Sequence, residues 1–385
     1  MRLRARHYRT ALPLDVVCEQ GKIVRVESAG TQPVDAQADW VAPAFCDVQI
    51  NGCEGISFNS ETLTQQQIRQ VVATCHRHGI AQLLPTLVTA SFDALMHGFT
   101  TIREACDQDP TLAQAIVGIH LEGPYISPDD GPRGAHPKQH VRPASWDEFR
   151  RFQDEAAHGM IRMLTLAPET AGALPFIEKV AGSGVIVAIG HTGASPACIR
   201  DAVKAGARIS THLGNGSHAM LPRHENYLWE QLAHDGLWAS MIADGHHLPE
   251  AVMRSIVRVK TPARLILTCD ASPLAGSPTG KYRQWEHEFE VLPEGKIVVS
   301  GTPYLAGSWA FTDLCVAKLL KLGETSLADT IDLASNRPRE LLGLAPRRME
   351  AGEPAELILF DWAPKRDFQL KATLVGENIT QPLAV

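Results

Sequence analysis

Val185-Ile-Val-Ala-Ile-Gly-His-Thr-Gly-Ala-Ser195, followed after a helix-like interval by Arg208-Ile-Ser-Thr-His-Leu-Gly-Asn-Gly216, decides the fold. Each half is an apolar run that stops at a histidine, His191 or His212, with small residues close behind. Two buried strands therefore deliver imidazoles to the same end of one assembly. In a barrel of parallel strands wrapped by helices, chemistry gathers at the carboxyl ends of the strands, where loops open to solvent. Outward from this pair, strand-like and helix-like segments alternate, as in a parallel sheet with helical crossovers. Eight strand candidates result: Pro43–Gln49, Ala81–Val88, Ile116–Glu122, Ile161–Ala167, Val185–His191, Arg208–His212, Trp238–Asp244 and Arg264–Asp270. Eight strands close a TIM-type (β/α)8 barrel, so the fold class is α/β. Thr64–His76 and Pro196–Ala205 carry helical spacing, with Gly79 and Gly206 closing them.

The chain ends read differently. Residues 1–42 hold short strands such as Lys22-Ile-Val-Arg-Val-Glu27, and residues 345–385 return to β material in Ala355–Asp361 and Leu370–Val375. Pieces too small to fold alone are expected to pair into one small β-sandwich, with the barrel of residues 43–344 inserted between them. Two insertions depart from a plain barrel: a Gly-, Pro- and His-containing loop at 131–143, placed to cover a substrate, and a β-hairpin over 286–300 turning at Pro293-Glu-Gly295.

Composition narrows the function class. Charged residues at 21% and hydrophobic residues at 44% are ordinary globular usage, which argues against disorder and fibres. A net charge of −7 disfavours a nucleic-acid or anionic-membrane surface and favours a small-molecule substrate. The eight cysteines form no C-x-x-C pair and read as reduced, buried thiols of a cytoplasmic protein. The opening MRLRARHYRTALPLD lacks the apolar core of a signal peptide.

The strand ends supply the chemistry: Gln49 and Asn51, Glu122, His191, His212, Asp244 with His246 and His247, and Asp270. A histidine after one apolar strand is ordinarily a hydrogen-bonded core or loop residue. One carboxylate and two imidazoles at equivalent ends of different strands instead make a zinc-type ligand set with a fourth position left for water. Glu122, His191 and His212 are the expected ligands, and Asp270 is the carboxylate for proton transfer. Asp244 reads as structural, holding the turn before His247.

Several segments together resemble the N-acetylglucosamine-6-phosphate deacetylases of the amidohydrolase superfamily: Pro43–Gly52, His120-Leu-Glu-Gly-Pro124, Gly190-His-Thr192, Thr211-His-Leu213, Ile242-Ala-Asp-Gly-His-His247 and Leu305-Ala-Gly-Ser308. The resemblance implies a metal-dependent amide hydrolase, a homodimer, with Glu122, His191 and His212 on the metal and Asp270 as acid/base. It places His247 at the acyl oxygen, and Asn215, Gly216, Ala135, His136 and Leu305 around the sugar. Where related enzymes carry His-x-His for a second metal, this chain has Gln49 and Asn51. Amides are poor ligands beside imidazole, which favours one ion, Zn2+, with Fe2+, Co2+ or Mn2+ as substitutes. The family's Arg-Glu-Pro-Gly segment, whose arginine reaches a partner's sugar phosphate in known dimers, is missing. Arg223 is the substitute candidate for phosphate, and an unphosphorylated N-acetylated amino sugar or other N-acyl amine is the alternative substrate. Cyclic-amide hydrolases, deaminases and a catalytically silent barrel are the rival readings, the last opposed by the intact set of Glu122, His191, His212 and Asp270.

Overall fold

The computed structural model describes residues 1–284, 287–302 and 304–382. Eight strands, numbered here in chain order, form the parallel ring: β1 Phe45–Ile50, β2 Ile80–Val88, β3 Ile119–Glu122, β4 Ile161–Leu166, β5 Ile186–Ile189, β6 Ala207–Ser210, β7 Trp238–Met241 and β8 Leu265–Leu267. Neighbours in the sequence are neighbours in the sheet. The ring closes where Ile50 bridges Ala271 in parallel, with the Asn51 N–H donating to the Ala271 carbonyl at 2.9 Å. Register brings Val88, Glu122 and Thr165 to one level. The expected strand set is therefore present, with later strands ending two or three residues sooner. His191, His212 and Asp270 fall in the turns just beyond β5, β6 and β8.

Side chains fill the ring. Cys46, Val48, Leu84, Met163, Ile186, Ala188, Ile209, Trp238 and Ile266 pack inside it, with Leu341 and Leu342 in the same cluster. Outside, helices lay apolar stripes on the strands. In Gln65–Arg77 the buried residues Ile68, Val71, Val72 and Cys75 follow the i, i+3, i+4, i+7 spacing of one face. Thr64 and Gln67 form a reciprocal capping box at its start. The helix Pro196–Ala205 has the bounds expected from sequence.

Both chain ends meet, as expected, in one seven-stranded sheet ordered Asn378–Thr380, Arg366–Val375, Glu356–Ala363, Ala36–Pro43, Arg2–His7, Pro13–Glu19, Lys22–Ser28. Ala36–Pro43 runs directly into β1, so this sheet is fixed to the ring. The 286–300 insertion begins at Glu286, outside the described residues. Beyond it, His287–Val291 and Ile297–Val299 pair around a turn with Gly295 at φ 77°, and Gly280–Gln284 adds a third strand that the sequence reading missed.

One buried carboxylate ties the last strand to the first. Asp47 of β1 accepts the Cys269 N–H at 2.9 Å, the Thr312 hydroxyl at 2.6 Å and the Thr268 hydroxyl, so it bridges both sides of the closure. Removing it orphans those three buried donors and the Gln49 N–H, which Asp47 Oδ1 also accepts at 3.0 Å, each costing about 1–3 kcal/mol. Asp47→Ala is therefore expected to lower unfolding stability by at least about 3 kcal/mol in urea titration; an unchanged midpoint would show that closure does not depend on this residue.

Candidate active site

Local backbone strain helps build the site. His191, His212 and Asp270 have φ of 52°, 31° and 51°, the left-handed region that non-glycine residues seldom occupy. Each costs about 1–3 kcal/mol unless its surroundings hold it. They do hold it: Thr211 N–H donates to the Ile189 carbonyl, Leu213 N–H to Ser240 and Ser308 N–H to Asp270. These turns swing three side chains into one mouth instead of continuing the ladder.

Glu122 Oε1, His191 Nε2 and His212 Nε2 converge, with separations of 3.1, 3.0 and 3.1 Å. All three residues are buried. The Pro132 carbonyl lies 2.8 Å from His191 Nδ1 and takes its N–H, which leaves a lone pair on Nε2 when the ring is neutral. That lone pair faces the Glu122 carboxylate, an arrangement that a cation between them resolves. His212 Nδ1 is buried with no hydrogen-bond partner among the described residues. A tetrahedral zinc with bonds of about 2.0–2.1 Å needs donors about 3.3 Å apart. One carboxylate oxygen and two imidazole nitrogens at 3.0–3.1 Å fit that requirement.

The sequence reading set His136 only against the sugar, but it stands beside this cluster. Its ring centroid is 4.3 Å from that of His191, and Glu122, His136 and His191 can present ligand atoms within 4.8 Å of one another. The tighter trio contains His212. His136 Nδ1 is engaged by Thr89 Oγ1 at 2.8 Å, and burial, then the charge of His191, push the His136 ring down to about 3, so it stays neutral.

The carboxylates are tuned in opposite directions. Burial opposes ionisation of Glu122, yet hydrogen bonds with His191 and His212 hold it well below the usual carboxylate range. Burial and then the charge of Glu122 push Asp270 up to about 7. A cation among the three ligands opposes that second effect and favours ionised Asp270. Gln49 and Asn51 do not converge as ligands. The Gln49 amide donates to Glu122 at 2.9 Å and to Asp270 Oδ1 at 3.0 Å, and the Asn51 amide donates to the same Asp270 oxygen at 2.7 Å.

A cavity of about 400 Å³ opens above, lined in part by Asn51, Glu122, Ala135, His136, His191, His212, Asn215, Gly216, His247, Asp270 and Leu305. Gly216 must be glycine: at φ 56°, a Cβ there would lie 2.9 Å from His191 Nδ1. Arg223 is exposed and does not line the cavity of its own chain. His218 also lines the cavity, whereas His246 does not. Pro303, ahead of Leu305, lies outside the described residues. Asp244 does more than hold a turn, because its Oδ2 lies 2.7 Å from His247 Nδ1.

A barrel that gathers a carboxylate, two imidazoles and a separate aspartate at one mouth is the framework of a metal-assisted hydrolase. The chain belongs to the amidohydrolase family, whose model matches residues 40–381. Within it, the similarity is to N-acetylglucosamine-6-phosphate deacetylases. The Bos taurus protein of that name is 34% identical over 360 residues, covering 89% of this chain and 83% of that one. An N-acetylgalactosamine-6-phosphate deacetylase of Escherichia coli O157:H7 is 29% identical, covering 89% of each chain. A mutant N-acetyl-D-glucosamine-6-phosphate deacetylase of Mycobacterium smegmatis, solved with N-acetyl-D-glucosamine-6-phosphate, superposes with a TM-score of 0.88 at 28% identity over 98% of both chains.

Metal analysis of protein purified without chelator is expected to give about one divalent ion per chain. Glu122→Gln and His212→Ala should each lower metal affinity at least about tenfold. Full metal retention in both would remove these residues from the ligand set.

Proposed function

We propose that this chain hydrolyses the N-acetyl amide of an N-acetylated amino sugar, in the manner of its relatives named for 6-phosphorylated substrates. The observation that carries the reading is the meeting of Glu122, His191 and His212 beside Asp270 in one cavity. In this reading Glu122, His191 and His212 hold one Zn2+, with Fe2+, Co2+ or Mn2+ as substitutes. A bound divalent ion supplies Lewis acidity and makes water acidic enough to yield hydroxide near neutral pH.

This chain's own residues direct the protons. Asp270 takes the proton of the attacking water and returns it to the amide nitrogen, which otherwise cannot leave as an amine. Gln49 and Asn51 both donate to Asp270 Oδ1, so they fix the carboxylate and leave Oδ2 for that transfer. His247 meets the acyl oxygen as negative charge develops on it, a contact worth about 3–4 kcal/mol for a well-placed donor. Asn215, Gly216, Ala135, His136 and Leu305 enclose the sugar. Arg223, exposed on its own chain, is left to serve phosphate across a homodimer.

Residues 1–42 and 345–385 are taken as one unit and 43–344 as the hydrolase domain. The cytoplasm is the proposed compartment, supported by eight cysteines without a disulfide. Among the described residues no helix is long and apolar enough to cross a membrane.

The experiment is acetate release by zinc-loaded protein from N-acetylglucosamine and from its 6-phosphate. Turnover of either supports the reading, and silence on both overturns it. Asp270→Asn should retain metal and lose about 10²–10⁴-fold in kcat; a near-normal rate would remove Asp270 from proton transfer.

A further inference from the structure

Asp244 is buried at 4% exposure, and both its oxygens act as acceptors. Oδ1 receives the N–H groups of His246 at 2.8 Å and His247 at 2.9 Å. Oδ2 receives the Ser308 hydroxyl at 3.3 Å and faces His247 Nδ1 at 2.7 Å. Such a carboxylate is ionised: burial resists charge, but the bond and charge of His247 take it down to about 2. The hydrogen in the Asp244–His247 contact therefore sits on Nδ1. A neutral His247 would then bare a lone pair at Nε2 and could only accept. An acyl oxygen gaining negative charge needs a donor.

We propose that Asp244 is a positioning residue that holds His247 as an imidazolium, so that Nε2–H meets the acyl oxygen as a charged donor. The inference rests on the amide-hydrolase reading above. It departs from the structural role that the sequence suggested for Asp244. The groups around the pair agree with a charged ring. Asp244 touches it and Asp270 adds negative charge from the cavity, while the Cys315 thiol facing Asp244 stays protonated because burial raises it. Of the cations, Lys318 approaches the turn at Gly245, its Nζ 3.8 Å from where a Cβ would stand, and His212 belongs to the ligand cluster.

The test pairs a spectroscopic with a kinetic readout on zinc-loaded full-length protein. In imidazole ¹⁵N NMR of the wild type, His247 should carry hydrogens on both nitrogens at neutral pH. Asp244→Asn gives a particular reversal. The amide oxygen keeps the two backbone N–H groups, its NH2 donates to Nδ1, and His247 becomes a neutral ring with hydrogen on Nε2. A donor survives but its charge is lost, so kcat should fall about tenfold while KM moves less than about threefold. Wild-type kcat should fall towards alkaline pH, because deprotonation removes the donor. The variant should lack that alkaline limb, since its neutral Nε2–H persists. A structural role alone would not abolish the limb. A wild-type His247 that carries a single ring hydrogen at neutral pH, or a variant whose pH profile superimposes on the wild type, overturns the proposal. Should the wild type release no acetate from either sugar, the function reading fails, and the imidazole NMR still decides the state of His247.

Discussion

Everything at the mouth depends on how the ring closes. β8 is only Leu265–Leu267, because the chain must turn at Asp270, and so little ladder remains to join it to β1. A buried carboxylate takes the place of the missing ladder bonds: Asp47 gathers the Cys269 N–H and the hydroxyls of Thr268 and Thr312. That seam holds β1 and the Asp270 turn at one level. Gln49 and Asn51 consequently sit within hydrogen-bond reach of the aspartate. Their amides contribute neutral donors, which position a carboxylate without adding the charge that a second pair of imidazoles would bring.

Electrostatics explains why the site needs that restraint. Glu122 and Asp270 share one buried region, and two uncompensated carboxylates there repel strongly because the surroundings screen little. The hydrogen bonds divide their behaviour. Glu122 lies against two imidazoles and stays ionised, whereas Asp270 carries the cost of the second charge and shifts up to about 7. Two carboxyl groups with opposed shifts mark one for holding charge and the other for exchanging a proton. The second task needs the ionised and protonated forms to be close in energy. The first needs the reverse.

Much of this was legible in the sequence, and the limits are physical. Apolar runs of strand length are set by burial on both faces, which is why all eight strands and the helix Pro196–Ala205 could be read directly. The convergence of Glu122, His191 and His212 followed from equivalent places on a closed ring. Side-chain partnership did not follow, because it depends on where loops pass in space. The Pro132 carbonyl that fixes the His191 tautomer lies 59 residues away along the chain. The Asp244 to His247 contact is only three residues long, yet the same D-G-H-H spacing also suits a plain turn, and sequence alone cannot separate a turn from a turn that also orients a ring. Arg223 was an expectation drawn from charge type, and the fold leaves it on the outside.

The left-handed residues show why such a scaffold can change substrate while keeping its chemistry. His191, His212 and Asp270 hold unfavourable backbone angles while hydrogen bonds of the residues beside them, to backbone or to carboxylates, fix each turn. Relaxing one of these turns would break the bonds that flank it, so the directions of these side chains are set by the ring that holds them. The segment from Gly214 to Asn226 is constrained differently. It meets the cluster through Gly216, where close approach to His191 forbids a side chain, and then leaves through exposed residues such as Met220 and Arg223 to the cap at Asn226. Changes in the middle of this segment reshape the cavity mouth without moving His191 or His212, because the segment is anchored at Gly216 and Asn226. The Arg-Glu-Pro-Gly segment that the resemblance led one to expect is missing from this stretch, which the barrel's hydrogen bonds leave free to vary, whereas the strained turns at His191, His212 and Asp270 belong to the ring itself.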